Sequence, residues 1–288
     1  MASVRKIVST IGGAALLWSC SQESAFQPVH DPASASVGMQ ISFSRQASEL
    51  GPFVEAVVVR ISSENYSDEQ TQPYGAGSMS FGGVPVNKDA RIIFDAYNAH
   101  AIVLLHEEQM DYINNGHNLV EFSTVKISRN VFFDRSQIGV LLPVPQTWER
   151  VNDQDLAADE WAGFKRPVTA ATLVPEISFS ASDNSTLSIK EIVDEAIVTL
   201  RGSLTLANIE LDTTVYNGFT NVDAAMEISM LDKTLKVRHQ IFVVKKDRWD
   251  ISIRFKYKDS ALGNASQLAI IEDELTRILQ SIRFMPVM

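Results

Sequence analysis

The sequence contains a single cysteine, Cys20, in 288 residues, and it has little positive charge. One cysteine excludes an internal disulfide and a cysteine-based metal site. Lysine and arginine total 25 against 35 aspartate and glutamate residues, which gives a net charge of −10. Proteins that bind nucleic acid need a cationic surface opposite the phosphates, so this balance argues against a nucleic-acid partner.

The common motifs of catalysis and cofactor binding are also missing. The sequence has no glycine-rich phosphate loop, no His-Glu-x-x-His and no Gly-x-Ser-x-Gly. We therefore expect no catalytic residues, no metal and no cofactor, and we expect that the protein is not an enzyme. A hydrolase of the cell envelope is the alternative within the enzyme class.

The residues before Cys20 have the pattern of an export signal. Arg5 and Lys6 precede an uncharged, mostly apolar run over residues 7–17. This run of about eleven residues is shorter than the roughly 20 that a membrane-spanning helix needs, but it suits a secretory signal. Removal of residues 1–19 would delete both cations and no acidic residue, so the mature chain would be still more acidic.

The stretch from Leu17 to Cys20 resembles the bacterial lipobox, in which the cysteine is acylated and the chain is cut just before it. Leu17 and Ser19 match the preferences of that pattern, whereas Trp18 is bulkier than usual at its position. The resemblance implies that Cys20 is the lipidation site and that a membrane is a partner, since two acyl chains anchor firmly. A buried cysteine of an N-terminal helix is the alternative. Ser21, which is not aspartate, implies the periplasmic face of the outer membrane in a Gram-negative host.

The sequence after Cys20 predicts a multidomain protein in which an all-β sandwich is followed by an α/β domain. The predicted parts are a signal peptide over 1–19, a polar lipidated tether over 20–35, a β-sandwich domain over 36–128, a linker over 129–137 and an α/β domain over 138–288.

The first predicted domain shows the period-two alternation of β-strands. One face of the first strand carries Val37, Met39, Ile41 and Phe43. Later strands are predicted over 91–97 and 119–127. Turns are predicted at Gly82-Gly83 and at Asn114-Asn115-Gly116. Several short strands at this spacing predict a β-sandwich. The order resembles the immunoglobulin- or fibronectin-like modules of bacterial surface lipoproteins. In the linker, Val131-Phe132-Phe133 could alternatively be a strand of either neighbour.

The second predicted domain combines helices with a meander of strands. Ser188 and Glu191 form a capping box before an apolar helical stripe that reaches Leu204. Three antiparallel strands are predicted between residues 224 and 258, and a last helix follows; residues 156–165 are predicted to be a short helix or a loop.

Residues 138–285 resemble the PsbP/DcrB-like α/β fold. The resemblance rests on a proline-bearing strand followed by Trp148, a long amphipathic helix, three strands and the ending Ile278-Leu-Gln-Ser-Ile-Arg-Phe284. It implies an antiparallel sheet flanked by helices. Members of the family serve as extrinsic subunits, lipoproteins or chaperone-like binders, and they share no catalytic residues.

Candidate ligand-binding residues in this domain are His239, Trp148 and Trp161. His239 falls on the apolar face of its predicted strand, where it is either a buried, hydrogen-bonded structural residue or a ligand contact. The acidic run Glu272-Asp273-Glu274 is predicted to be a solvated helix face. His100, His106 and His117 are predicted to be exposed loop histidines and not a metal site.

Together these features predict a non-enzymatic lipoprotein that acts as a binding or assembly module at the bacterial cell envelope, with a protein partner there. The alternative is chaperone-like capture of an apolar ligand or partner segment by the second domain.

Overall fold

The computed structural model describes most of the chain after residue 35. It covers residues 36–43, 49–75, 77–116, 118–122, 125–167, 174–183, 186–202, 209–258 and 265–287. The predicted signal peptide, lipobox and tether, and with them Leu17, Ser19 and Cys20, lie outside the described residues, as does His117.

Eight strands form the first region. They are β1 (Ser36–Phe43), β2 (Ala56–Ser63), β3 (Tyr66–Pro73), β4 (Ser78–Pro85), β5 (Lys88–Tyr97), β6 (Val103–Ile113), β7 (Asn118–Phe122) and β8 (Lys126–Ile127). One sheet has the order β4-β1-β7 and the other has the order β3-β2-β5-β6-β8. β1 pairs with β4 antiparallel and with β7 parallel.

The two sheets share one apolar core. The alternation predicted in β1 is confirmed, because Met39, Ile41 and Phe43 are buried while the residues between them are partly exposed. Phe43 and Phe94 meet in that core with ring centroids 5.3 Å apart. Because the inward residues of each sheet are apolar, burying them against each other removes this surface from water and stabilises the pair.

The turn predicted at Gly82-Gly83 is wrong. Both glycines lie inside β4, where the pairing register with β1 shifts between Val37 and Met39. Gly83 has φ +74°, a left-handed conformation that glycine adopts without steric cost. The pair therefore makes a bulge within a strand.

A small sheet connects the first region to the rest of the chain. Its order is β18-β10-β9, with β9 (Val131–Asp134), β10 (Val140–Pro143) and β18 (Arg283–Phe284). β9 falls within the segment predicted as a linker, so the alternative interpretation of this segment as a strand is confirmed for those residues. Alternate residues of β10 enter different cores: Leu141 joins the core of the first region, and Val140 and Leu142 join that of the second.

The second region is built on a seven-stranded antiparallel sheet with the order β11-β12-β13-β17-β16-β15-β14. Its strands are β11 (Glu149–Arg150), β12 (Glu160–Lys165), β13 (Glu176–Asp183), β14 (Ile209–Val215), β15 (Ala224–Asp232), β16 (Val237–Lys246) and β17 (Trp249–Lys258). The helices are α1 (Ile189–Gly202) and α2 (Ala265–Ser281). β14 and β12 were not predicted: β14 adds a fourth strand between the helices, and β12 takes the place of the predicted helix or loop.

The helices lie on opposite faces of this sheet. The capping box that begins α1 is confirmed, because the backbone N–H of Ser188 donates to Glu191 at 2.7 Å and that of Glu191 donates to the Ser188 hydroxyl at 3.3 Å. The apolar stripe of α1 packs on Ile228 of β15 and Ile241 of β16. α2 packs on the other face, where Phe242 belongs to the larger core.

The sequence predicts that the whole acidic run on α2 is solvated. This prediction is wrong for one of its residues. Glu274 is 4% exposed, and it accepts hydrogen bonds from Trp148 Nε1 at 2.9 Å and from Arg166 Nε at 2.6 Å. Its position on the inner side of α2 is compatible with a charge only because these donors, which come from other elements, satisfy the carboxylate.

The described chain is therefore mostly β-sheet, with two helices and several sheets, and it is a multidomain β-rich protein. Within the described ranges, no helix is long and apolar enough to cross a membrane.

Candidate functional site

The seven-stranded sheet has one face that α1 covers only in part. Among the described elements, α1 lies over β15 and β16 and leaves the same face of β17, β13 and β12 open. On that open half, Arg254 of β17 is in register with Ser178 of β13, and Lys256 is in register with Glu176. Successive side chains of a strand point to opposite faces, so the apolar residues of β17 enter the α2 core while its polar residues line this face.

A trough of about 460 Å³ crosses the open half of the face. One wall is the loop from Val151 to Leu156, which folds over Gly163 of β12. A Cβ atom on Gly163 would lie 3.0 Å from Leu156 Cδ2, so the absent side chain lets the loop approach closely. The opposite wall is formed by Leu200 of α1 and by Leu235, which is 62% exposed in the turn between β15 and β16.

His239 lies on the floor of this trough. It is in register with Lys256 and with Met230 of β15, and it is only 7% exposed. Its Nδ1 is buried, and no described residue forms a hydrogen bond with it. Burial, and then the positive charges of Lys256 and Arg254, lower the pKa of His239 to about 4, with Asp232 opposing the shift. The imidazole is therefore neutral near pH 7.

Among the described residues on the floor of the trough, the lysines lie near a carboxylate, whereas the arginine does not. Glu176 lies 3.5 Å from Lys165 Nζ and 3.8 Å from Lys256 Nζ. Arg254 has no ion-pair partner among the described residues, and its buried Nε has no hydrogen-bond partner. A guanidinium presents a planar fork of donors that suits carboxylates and phosphates. Among the residues that the structure describes, Arg254 is therefore the one floor cation that is free to bind an anion.

The acidic residues around the trough are occupied by local contacts. Asp232 accepts the backbone N–H groups of Thr234 and Leu235 at 2.8 and 2.9 Å, which fixes the turn that forms one wall. In the opposite wall, Glu160 accepts the backbone N–H of Ala157 at 3.1 Å. These carboxylates shape the walls, and they are not paired with Arg254.

The predicted ligand-binding residues do not come together. His239 lines the trough, whereas Trp148 is fully buried in the α2 core and donates its indole N–H to Glu274. Trp161 packs edge-on against Trp249, with ring centroids 5.6 Å apart. Sequence reasoning missed Arg254 and the wall residues, because no motif marks them and only strand pairing brings them together.

A second, smaller cavity of about 320 Å³ lies at the junction of the two regions. Its lining includes Glu55, His100 and Leu141 from one side and Arg283 from the other. Burial, and then the charge of Arg283, lower the pKa of His100. The predicted loop position is wrong for His106, which lies on β6 with its Nδ1 2.7 Å from Asp95. Among the described residues, no group of three His, Cys, Asp or Glu side chains is placed to hold a metal ion.

The fold and the trough together define a multidomain β-rich protein with a concave, partly charged site on one sheet face. No family model matches the sequence, and no curated protein matches it. Among solved structures, the chain is similar to LpqN, which is involved in cell envelope biogenesis of Mycobacterium tuberculosis. The identity is 13%, the TM-score is 0.39, and the match covers 53% of this chain and 87% of that one. Envelope biogenesis is stated of that protein, and what this chain binds has to be inferred from its own residues.

Proposed function

We propose that this protein is a lipid-anchored, non-enzymatic binding module of the bacterial cell envelope. Acyl chains on Cys20 hold it to a membrane, the outer membrane in a Gram-negative host. The tether over 20–35 leads to an immunoglobulin- or fibronectin-like sandwich, and residues 138–285 form a PsbP/DcrB-like domain. The lipobox residues Leu17 and Ser19 support the anchor.

The trough on the open sheet face is the observation that supports a binding role. Its volume of about 460 Å³ falls within the range of about 300–1,000 Å³ of ligand pockets. Apolar side chains such as Leu156, Leu200 and Leu235 line its walls, and polar groups stand on its floor. This mixture is typical of a site in which apolar contacts provide affinity and a few polar groups fix orientation.

Capture of a protein segment is a second candidate function. Leu235, which lines the trough, is 62% exposed and lies on the same wall as Leu200. Large apolar side chains at such exposure often mark a contact surface when they cluster. A peptide that buries Leu235 would use the same trough, so both candidates predict that filling the trough abolishes binding.

The anchor is tested by Cys20→Ala in the intact chain. We expect loss of acylation and of the cut before residue 20, because the thiol is the attachment point of the lipid. Ser24→Ala is the matched control and should be acylated and retained like the wild type. Unchanged processing and membrane retention of the Cys20→Ala protein would contradict the anchor.

The binding role is tested with N-phenyl-1-naphthylamine, a neutral apolar fluorophore, on the full-length chain carrying Cys20→Ala. Ser178 lies on the trough floor, so Ser178→Phe should fill the trough and abolish the fluorescence increase. Ser182→Phe places the same bulk on the same face of β13 outside the trough, and it should bind the probe like the parent. Equal binding by both variants would contradict the trough as the binding site.

A further inference from the structure

We propose that the trough selects a ligand with one negative charge on an apolar body, and that Arg254 binds the charged group. This inference rests on the proposed binding role of the trough. It names the class of ligand, an anionic amphiphile with a single charge, and the residue that recognises the charge.

The first observation that supports an anionic ligand is the guanidinium of Arg254, which the described residues leave unpaired. It projects from the centre of the sheet into the trough, and it has no ion pair among the described residues. Its Nε is buried, and no group in the described part of the chain forms a hydrogen bond with it. A partly buried guanidinium that lacks an acceptor is costly, and an anion in the trough would supply the missing charge and hydrogen bonds.

The charged residues near His239 also support an anionic ligand. This buried side chain lies between strands that carry Arg254 and Lys256, and both cations lower its pKa. At His239 the charges of Lys256 and Arg254 outweigh that of Asp232, so the potential at this point of the floor is positive, although the protein as a whole carries a charge of −10. Cations that line a cleft with apolar walls concentrate their field on a bound anion.

The balance of charge around the trough sets the number of charges on the ligand. Lys165 and Lys256 already lie 3.5 and 3.8 Å from Glu176, so within the described ranges Arg254 is the trough cation without an ion pair. The lining also contains Asp155, Glu160 and Asp232. A polyanion would meet these carboxylates and be repelled, whereas a single carboxylate or sulfonate would match one guanidinium.

Two fluorophores with the same aromatic body test the proposal directly. 8-Anilinonaphthalene-1-sulfonate carries one negative charge, and N-phenyl-1-naphthylamine carries none. On the full-length chain with Cys20→Ala, we expect the sulfonate to bind at least about tenfold more tightly than the neutral probe, a ratio that one charge-assisted hydrogen-bonded contact can produce. Octanoate should displace the sulfonate at concentrations at which octanol and inorganic phosphate do not.

Arg254→Gln should remove the preference, so that the sulfonate binds no more tightly than the neutral probe. Arg254→Lys keeps the charge but loses the planar fork, so it should retain part of the preference. Arg248→Gln is the matched control, because this arginine precedes the same strand and lies outside the trough. Circular dichroism of each variant tests whether it is folded. If Arg254→Gln does not fold, Arg254→Lys serves as the test variant in its place.

The outcomes separate the two proposals. If neither probe binds, or if Ser178→Phe changes nothing, the binding role of the trough is wrong. If the neutral probe binds and the sulfonate binds no more tightly, the binding role stands and the inference about the charge is overturned. A preference that Arg254→Gln and Arg254→Lys leave unchanged overturns the assignment of Arg254.

Discussion

The indole Nε1 of Trp148 donates a hydrogen bond to Glu274 Oε2 at 2.9 Å, although the two residues are 126 positions apart in the chain. Trp148 precedes β11, and Glu274 lies on α2. Arg166, which follows β12, approaches the same carboxylate at 2.6 Å. This buried group therefore joins the last helix to the start of the seven-stranded sheet.

Removing the carboxylate should destabilise the second region. Glu274→Ala leaves Trp148 Nε1 without its acceptor and Arg166 without its charge partner. We expect a loss of about 3 kcal/mol in the free energy of unfolding, at the low end for a broken buried pair because Arg166 keeps some contact with water. Urea unfolding measures it. Asp273→Ala is the control, because that side chain is 69% exposed and should have little effect; equal losses would contradict a structural role for Glu274.

Acid should weaken the folded state through His239. Its pKa is lowered to about 4 in the folded protein, against about 6.5 in an unfolded chain. Between these values the unfolded chain binds more protons, so stability falls as the pH is lowered through this window, by up to about 3 kcal/mol. Urea unfolding at about pH 7 and about pH 4.5 should show a smaller decrease for His239→Gln than for the parent. An identical decrease in both would mean that His239 does not contribute.

Gly139 should tolerate no larger residue. It has φ +68°, and a Cβ atom there would overlap the carbonyl oxygen of Met285. Gly139→Ala combines this overlap with a left-handed backbone and should cost at least about 2 kcal/mol. Gly82→Ala is the control, because a Cβ atom at Gly82 meets nothing within 4 Å. Thermal unfolding should show a lower midpoint for the first variant, and equal midpoints would contradict the prediction.

The buried Asp95 should stabilise the first region. This carboxylate is 2% exposed, and it lies 2.5 Å from Arg60 Nη1 and 2.7 Å from His106 Nδ1. Asp95→Asn should cost about 2 kcal/mol, since Arg60 loses one charge partner but keeps Glu69.

The control for Asp95 is an exposed ion pair on the neighbouring strands. Glu108 contacts Arg91 at 2.7 Å between β5 and β6. Glu108→Gln should have a much smaller effect, because water screens this pair. Urea unfolding compares the two variants, and a larger effect of Glu108→Gln would show that burial is not what gives Asp95 its importance.

Local patterns predicted the regular elements well. The alternation of β1, the turn at Asn114-Asn115-Gly116, the capping box at Ser188 and both helices follow from period and turn chemistry that lie within a few neighbouring residues. β12 and β14 were missed because the pattern over these short strands is weak, and pairing with β13 and β15 is what makes them extended. Gly82-Gly83 has the composition of a turn, but the pairing of β4 with β1 makes it a bulge.

By itself, the sequence determined which face of strongly alternating strands such as β1 is apolar, because alternation depends on residues close together in the chain. It also contains the lipobox pattern around Cys20, which is the strongest indication of an anchor. Only the tertiary structure decided which polar residues serve a site. In the sequence, Arg254 resembles any outward-facing cation of a strand. In the fold, strand pairing places it beside Ser178, and α1 and the loop at Val151 form the two walls of the trough around it. Glu274 likewise lies in an acidic run that suits a solvated helix, and its burial depends on donors more than a hundred residues away. Burial and electrostatic partnership are properties of distant segments brought together, so local sequence could not supply them.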